Sequence, residues 1–305
     1  MLHLHDVPAP AKLNLFLHVV GKRPDGYHLL ESVFVLIDWA DTLHFDRRDD
    51  GQLLRHDLGD ALPPDDLCLR AARLLQAESG CRFGADIRIE KRLPAGAGMG
   101  GGSSDAASTL LALNRLWELD WPRARLLALG LRLGADVPFF IGGSNAFVQG
   151  IGEILQPIEV PPQRFAVLKP AASISTQQIF SSPLLARSES VAIVVGFPAH
   201  NSSENKTTGT LKEVAQFLKG FGKNDLQKPA EAACPEVVQA LERLESQFGS
   251  SRMTGSGSAV FARVPDDVGG EDGTAETLLK DLPSGWSGRM CRSLEAHPLR
   301  GWTKD

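Results

Sequence analysis

The chain of 305 residues contains one tyrosine, four methionines and four cysteines, and it carries no excess of positive charge. Its cysteines stand alone at Cys68, Cys81, Cys234 and Cys291, so the sequence offers neither a C-x-x-C zinc pattern nor a disulfide framework. Isolated cysteines are typical of a reducing compartment, and we expect a cytoplasmic protein. The formal net charge of −5 disfavours a nucleic-acid partner.

Long apolar runs and the common nucleotide-binding signatures are also missing. No run approaches the roughly 18 residues that a membrane-spanning helix needs, so we expect no membrane partner. The Walker A ending Gly-Lys-Ser/Thr is absent, because Gly21-Lys22 is followed by arginine and Gly222-Lys223 by asparagine. The His-Arg-Asp and Asp-Phe-Gly signatures of protein kinases are absent as well. These absences exclude P-loop NTPases and protein kinases.

What the chain does have is a glycine-rich segment from Pro94 to Ala107, which leads into apolar residues at helical spacing. Glycine lets a backbone approach a ligand closely and adopts positive φ. Ser103, Ser104 and Asp105, at the end of the segment, are good helix N-cap residues. A glycine loop that enters a helix N-terminus presents free N–H groups and the positive end of the helix dipole to an anion. The segment therefore predicts a phosphate-binding site.

Gly96, Gly98 and Gly101 also satisfy the G-x-G-x-x-G pattern of dinucleotide-binding folds, and Asp120 lies near its acidic position. That fold requires alternating βαβ units, and the sequence shows no such repetition around the loop. Mixed helices and strands without regular alternation favour an α+β fold. A nicotinamide-dependent dehydrogenase stays as one alternative.

Hydrophobic periodicity predicts the main elements. Strands are predicted at residues 11–20, 29–38 and 85–90, a loop at 134–140, and helices at 65–78, 106–119, 122–134, 210–218, 235–248 and 275–282. The Pro161-Pro162 pair predicts a boundary between a first unit, 1–160, and a second, 161–305. The serine- and asparagine-rich segment 191–209 has no assigned role.

Three further segments carry candidate functional groups. Lys12 and Asn14 stand two residues apart in an apolar strand, so their side chains share one face. Asp136 lies between a predicted helix and an apolar run, where an acidic residue can also simply form a turn. Thr254–Ser258 is a glycine-serine turn, suited either to a hairpin or to a second backbone cradle for a ligand.

Together with the glycine loop, these segments resemble the GHMP kinases, the family of galactokinase, homoserine kinase and mevalonate kinase, nearly from end to end. The resemblance implies an α+β, two-domain fold with the active site in the cleft between the domains. It also implies ATP and Mg²⁺ as cofactors, with the metal ligands left unassigned. The residues that it assigns to the ATP phosphates are Pro94, Gly96, Gly98, Met99, Gly100, Gly101, Gly102, Ser103 and Ser104.

The same resemblance assigns the chemistry. Asp136 matches the catalytic aspartate of the family and would take the proton of the substrate hydroxyl. Lys12 matches its cationic partner, which would keep Asp136 ionised and stabilise developing negative charge. Asn14 would orient the substrate. Whether Asp136 acts as a base or as an electrostatic positioner stays open, because loose phosphoryl-transfer transition states need little early proton removal.

Four segments narrow the resemblance to one branch of the family: Pro10–Leu17, Arg23–His28, Gly134–Phe140 and Gly150–Glu153, of which the Asp-Gly-Tyr-His block discriminates best. That branch phosphorylates the 2-hydroxyl of a cytidine diphosphate-linked methylerythritol in isoprenoid precursor biosynthesis. It implies that Tyr27 and Phe180 stack on the cytosine while His28 bonds its polar edge. Homoserine or mevalonate as the substrate, and a sensor that binds nucleotide without transferring phosphate, stay open. The presence of both Lys12 and Asp136 argues against the sensor.

Overall fold

The computed structural model describes residues 2–188, 222–265 and 279–305. Its strands are β1 (His3–Lys22), β2 (His28–Arg48), β3 (Leu53–Asp57), β4 (Gly84–Glu90), β5 (Ala146–Gln149), β6 (Ile154–Pro157), β7 (Arg164–Lys169), β8 (Arg252–Met253), β9 (Val260–Arg263) and β10 (Ser287–Arg292). Its α-helices are α1 (Leu67–Ser79), α2 (Gly101–Leu116), α3 (Arg123–Leu131), α4 (Val137–Gly142), α5 (Thr176–Phe180), α6 (Gln227–Ala233) and α7 (Pro235–Phe248), and a 3₁₀ turn spans Arg300–Trp302.

The first sheet is built around the long antiparallel pair of β1 and β2. Its order is β3-β4-β2-β5-β6, with β1 on β2, and only the β3–β4 pair is parallel. Residues 9–19 of β1 are all buried. Helices α1 to α4 pack on this sheet through Leu75, Leu110 and Phe139, among others. A strand buried on both faces reads as a nearly continuous apolar run, and this explains why Lys12 and Asn14 stand out in the sequence.

The second sheet, of order β10-β7-β9-β8, is antiparallel throughout. Leu13 of β1 and Phe165 of β7 belong to one apolar cluster between the two sheets. On the other side of the second sheet, Leu168 packs with Val237 and Leu244 of α7. The two sheets are therefore joined by a shared apolar layer.

Several predicted elements are found where the sequence placed them. The structure confirms the strands at 11–20, 29–38 and 85–90 within longer or equal strands, and the helix predicted at 235–248 is α7. The helices predicted at 65–78, 106–119 and 122–134 correspond to α1, α2 and α3 with shifted ends. The helix predicted at 210–218 and the segment 191–209 lie outside the described residues, as does most of the helix predicted at 275–282.

Two local predictions were wrong. The predicted loop at 134–140 contains α4, because Pro138 fits the first helical turn and Phe139, Phe140 and Ile141 gain burial there. Helix α2 begins at Gly101, with Gly100 at φ 74° as its N-cap, so the serines and Asp105 lie inside the helix instead of capping it. The described strands form no doubly wound parallel sheet, which removes the dinucleotide-binding alternative.

The end of the chain returns to the first sheet. Leu294 N donates to the carbonyl of Leu36 at 2.8 Å, and Leu299 is buried in the core beneath α2 and α4. These residues belong to the predicted second unit, so that unit is interleaved with the first. The boundary at 160/161 stays a prediction.

Candidate active site

The structure contains a cavity of ≈ 280 Å³ that brings together most of the motifs identified in the sequence. Its lining residues come from β1, β2, the glycine loop, the start of α4, the β5–β6 turn, the β7–α5 segment and the turn before β9. They include Lys12, Asn14, Ser32, Phe34, Gly96, Gly98, Gly100, Asp136, Gly152, Thr176, Gly255, Ser256 and Gly257. Segments more than two hundred residues apart thus form one concave surface.

The glycine loop has the backbone geometry of an anion cradle. Gly96, Gly98 and Gly100 have φ of 61°, 72° and 74°, a left-handed conformation at every second residue. Alternation of this kind points successive N–H groups toward one side. The loop ends at the N-terminus of α2, where the first N–H groups have no partner within the helix. The geometry suits a polyphosphate.

A second glycine turn, residues 254–258, packs directly against the loop. Ser258 N donates to the carbonyl of Gly96 at 3.1 Å. A Cβ on Gly98 would lie 2.3 Å from the carbonyl oxygen of Thr254, so only glycine fits there. The two turns therefore form a single backbone wall of the cavity.

The remaining loop residues predicted to bind ATP occupy different positions. Gly101, Gly102 and Ser103 form the first turn of α2, and Pro94 precedes the glycines that line the cavity. Met99 has a buried side chain, and its carbonyl accepts from Lys12 N at 3.0 Å. The loop thus also fixes the backbone of β1 next to the candidate lysine.

Ser104 and Asp105 face the interior of the protein. The Ser104 hydroxyl is fully buried and donates to the carbonyl of Pro10 at 2.7 Å, so it anchors α2 to β1. The Asp105 carboxylate accepts from Lys91 Nζ at 2.6 Å. Burial raises the pKa of Asp105 to about 7, and the charge of Lys91 opposes that shift. Both side chains hold the start of α2 in place.

Lys12 and Asp136 form the charged pair of the site. Lys12 Nζ lies 3.7 Å from Asp136 Oδ2 and 4.6 Å from the centre of the Phe34 ring. The Lys12 side chain is 4% exposed, whereas that of Asp136 is 31% exposed. Burial lowers the pKa of the Lys12 ammonium, and the Asp136 carboxylate opposes that shift. A buried cation therefore stands behind a carboxylate that reaches the cavity.

Asn14 is held from several sides. Its Oδ1 accepts from Lys12 Nζ at 2.5 Å and from Thr254 Oγ1 at 3.2 Å, and its Nδ2 donates to Ser32 Oγ at 2.9 Å. Ser32 Oγ donates in turn to the carbonyl of Phe16. Asn14 thus contacts the lysine as well as the cavity, a contact that the sequence prediction did not include.

The residues predicted to hold a pyrimidine, Tyr27, His28 and Phe180, are not among the residues that line the cavity, although Leu30 and Thr176 of the same two segments are. The rings of His28 and Phe180 are in contact, with centroids 5.1 Å apart. Tyr27 is 60% exposed, at the tip of the β1–β2 turn. Burial lowers the pKa of His28, and its buried Nδ1 has no hydrogen-bond partner among the described residues. In this conformation the ring against Phe180 is that of His28, not Tyr27.

Sequence reasoning left out four polar or aromatic residues of the site. Ser32 is a polar residue beside the apolar run of β2, a signal like the one that identified Lys12 and Asn14 on β1, whereas Phe34 is one apolar residue of that run and carries no such signal. The hydroxyls of Thr176 and Ser256 are hydrogen-bonded to each other at 2.7 Å in the wall of the cavity. Ser256 belongs to the turn identified from the sequence, whereas nothing in the local pattern marked Thr176.

Comparison with known proteins identifies the family to which the chain belongs. The GHMP kinases N terminal domain matches residues 66–144 and the GHMP kinases C terminal model matches residues 203–276. The chain belongs to the GHMP kinase family, and the predicted α+β fold and family resemblance are confirmed. Members of this family are ATP-dependent phosphotransferases.

Individual relatives share the name of one enzyme within the family. A protein of Methylibium petroleiphilum is 62% identical over 300 residues, covering 98% of both chains, and one of Variovorax paradoxus is 55% identical over 99% of both. Both are named 4-diphosphocytidyl-2-C-methyl-D-erythritol kinase. A crystal structure of 4-(cytidine 5'-diphospho)-2C-methyl-D-erythritol kinase has a TM-score of 0.74 at 30% identity and covers 94% of this chain and 98% of its own.

More distant structures share the fold alone. A mevalonate kinase structure has a TM-score of 0.62 at 15% identity and covers 96% of this chain and 99% of its own.

Within the described residues, none of the helices combines the length and apolar character that a membrane crossing requires.

Proposed function

We propose that the chain is an ATP-dependent kinase that phosphorylates the 2-hydroxyl of 4-diphosphocytidyl-2-C-methyl-D-erythritol. The observation that carries the proposal is the Lys12–Asp136 pair in a cavity bounded by two glycine turns. The relatives that are 52–62% identical to the chain carry the name of this enzyme. In this proposal the units 1–160 and 161–305 are the two domains, and the enzyme works in the cytoplasm on a substrate of an isoprenoid precursor pathway.

Asp136 is the group that meets the attacking hydroxyl. Its carboxylate is the exposed member of the charged pair and reaches the cavity from the start of α4. It orients the hydroxyl and accepts its proton as the bond to phosphorus forms. Lys12, almost completely buried beside it, favours the ionised carboxylate and stabilises negative charge that develops on the transferred group.

The phosphate chain of ATP lies along Gly96, Gly98 and Gly100 and ends at the N-terminus of α2. These glycines line the cavity, and their positive φ points successive N–H groups toward one side of the loop, where the phosphates would lie. Backbone donors and the helix dipole replace the lysine that a Walker loop would supply.

Mg²⁺ fits this donor set as a companion of the nucleotide. Asp136 is the single carboxylate among the described residues that line the cavity. Mg²⁺ prefers oxygen ligands and is usually held by one or two carboxylates, substrate phosphates and water. It would supply charge neutralisation for the phosphates. Ser104 would not hold it directly, because its hydroxyl is committed to the carbonyl of Pro10.

The cytidine end of the substrate lies at His28 and Phe180. The Nδ1 of His28, which has no hydrogen-bond partner among the residues that the structure describes, can bond the polar edge of a cytosine, and the exposed Tyr27 ring can stack on its face. His28 contacts Phe180 at a tilt of 52° between the ring planes, so the two rings lie side by side at this end of the substrate. Homoserine and mevalonate have no base to use these groups.

The test is ATP consumption by the purified protein with Mg²⁺ and 4-diphosphocytidyl-2-C-methyl-D-erythritol, beside homoserine and mevalonate. We expect turnover with the cytidylyl substrate alone. The matched variant is Asp136→Asn, which keeps the shape of the side chain and removes its charge. Its kcat should fall by about 10²–10⁴ while ATP affinity stays within about threefold. Normal turnover by Asp136→Asn would refute the assigned role, and turnover with mevalonate or homoserine would refute the substrate.

A further inference from the structure

We infer that Thr254 is a positioning residue for Lys12, acting through the amide of Asn14. The inference rests on the proposed function, because it concerns the lysine that serves the phosphoryl transfer. Thr254 belongs to the second glycine turn, 240 residues away from Asn14 along the chain. Its role is to fix where the ammonium group stands relative to Asp136 and the glycine loop.

The contact between Thr254 and Asn14 is double. Thr254 Oγ1 accepts from the backbone N–H of Asn14 at 3.0 Å and donates to Asn14 Oδ1 at 3.2 Å. Both residues are buried, with relative exposures of 0% and 1%. Hydrogen bonds in such a setting are costly to break, since the buried partners have no water to replace them.

These bonds set the orientation of the Asn14 amide. An ammonium group only donates, so the atom that faces Lys12 Nζ must be the oxygen. Asn14 Oδ1 accepts from both Lys12 and Thr254, while Nδ2 donates to Ser32 Oγ. The hydroxyls of Thr254 and Ser32 thus hold the two ends of the amide, and one Nδ2 proton remains for the substrate.

Thr254 is in turn fixed by its own turn. Its N–H donates to the carbonyl of Ala259 at 3.0 Å, and its carbonyl accepts from Gly257 N at 3.0 Å. Asn224 Nδ2 donates to the neighbouring carbonyls of Met253 and Gly255, each at 2.8 Å. A continuous chain of hydrogen bonds therefore runs from the second glycine turn through Thr254 and Asn14 to the Lys12 ammonium, and it fixes where that ammonium lies.

The test compares three variants of the full chain by steady-state kinetics with ATP and the cytidylyl substrate. Thr254→Val keeps the volume and removes the hydroxyl, whereas Thr254→Ser keeps the hydroxyl and removes a methyl group. Thr303→Val makes the same change at a hydroxyl that donates to the carbonyl of Trp121, outside the cavity. We expect kcat of Thr254→Val to fall about 10- to 100-fold, the scale of a small misplacement of a catalytic group.

The KM values for both substrates should change less than about threefold, because the glycine cradle is kept. Thr254→Ser should recover at least half of the lost kcat, and Thr303→Val should behave as wild type. If Thr254→Val fails to fold, Ser32→Ala releases the other end of the Asn14 amide. That variant should likewise lower kcat and change the KM values less than about threefold. Unchanged kcat in the folded variant, or a loss not rescued by serine, would overturn the inference. Absence of wild-type turnover would instead refute the proposed function.

Discussion

Gly98→Ala tests the close packing of the two glycine turns against each other. The substitution has two separable effects. Gly98 has φ 72°, and a left-handed conformation costs alanine roughly 1–2 kcal/mol. The added Cβ would also lie 2.3 Å from the carbonyl oxygen of Thr254, whereas carbon–oxygen contacts are ordinarily about 3.3 Å or longer. The turns must therefore separate by about 1 Å.

Two matched glycines isolate these effects. Gly80 has φ 64° with nothing within 4 Å of an added Cβ, so Gly80→Ala carries the conformational cost alone. Gly59 has open space and no positive φ, so Gly59→Ala carries neither cost. Urea unfolding should rank the three variants Gly59→Ala, Gly80→Ala and Gly98→Ala in order of falling stability. The free energy of unfolding of Gly98→Ala should be about 1–3 kcal/mol lower than that of Gly80→Ala, which is the usual cost of overpacking.

The kinetic consequence is specific to Gly98. Separation of the turns displaces Thr254 and disturbs the phosphate cradle, so kcat/KM for ATP should fall at least about tenfold, or ~1.4 kcal/mol. Gly80→Ala and Gly59→Ala should retain wild-type kinetics, because both positions lie outside the cavity. Equal stability and equal kcat/KM in Gly98→Ala and Gly80→Ala would refute the packing argument.

Two further predictions concern buried charged or titratable groups. Lys12→Met fills the same space without the charge, so kcat should fall about 10²–10³-fold. The urea midpoint should stay equal or rise, because the buried ammonium is removed and the remaining Asp136 carboxylate is 31% exposed to water. A fall in kcat of less than tenfold would contradict the role of Lys12. Burial lowers the pKa of His297 to about 4, so between pH 6.5 and 4 the unfolded chain binds more protons, and stability falls as pH decreases through that window. His297→Asn keeps an acceptor for Leu299 N, which His297 Nδ1 bonds at 3.1 Å, and lacks this titration. The stability difference between wild type and His297→Asn, measured by urea unfolding at pH 7 and pH 4.5, should shrink at the lower pH; a constant difference would contradict it.

The sequence alone identified the functional groups that each short segment brings to the site. Lys12 and Asn14 interrupt a strand that is otherwise buried on both faces, so their spacing alone puts them on one side of it. The glycine loop is equally local, because positive φ at Gly96, Gly98 and Gly100 is a property that glycine provides wherever it stands. The order of predicted helices and strands, without regular alternation, indicated an α+β fold, and missing motifs excluded P-loop NTPases and protein kinases.

The tertiary structure decided which of these groups meet. Asp136 comes within 3.7 Å of Lys12 because α4 gains burial for Phe139 and Phe140 against α2, and the local pattern had predicted a loop there. The contact of Thr254 with Asn14 joins the second glycine turn to β1, and the contact of His28 with Phe180 joins β2 to α5, which packs against the apolar cluster of the second sheet and α7. Pairings across such distances are fixed by the shared burial of many side chains, which no short stretch of sequence encodes. The sequence therefore determined the chemical groups, and the packing of the two sheets determined their geometry.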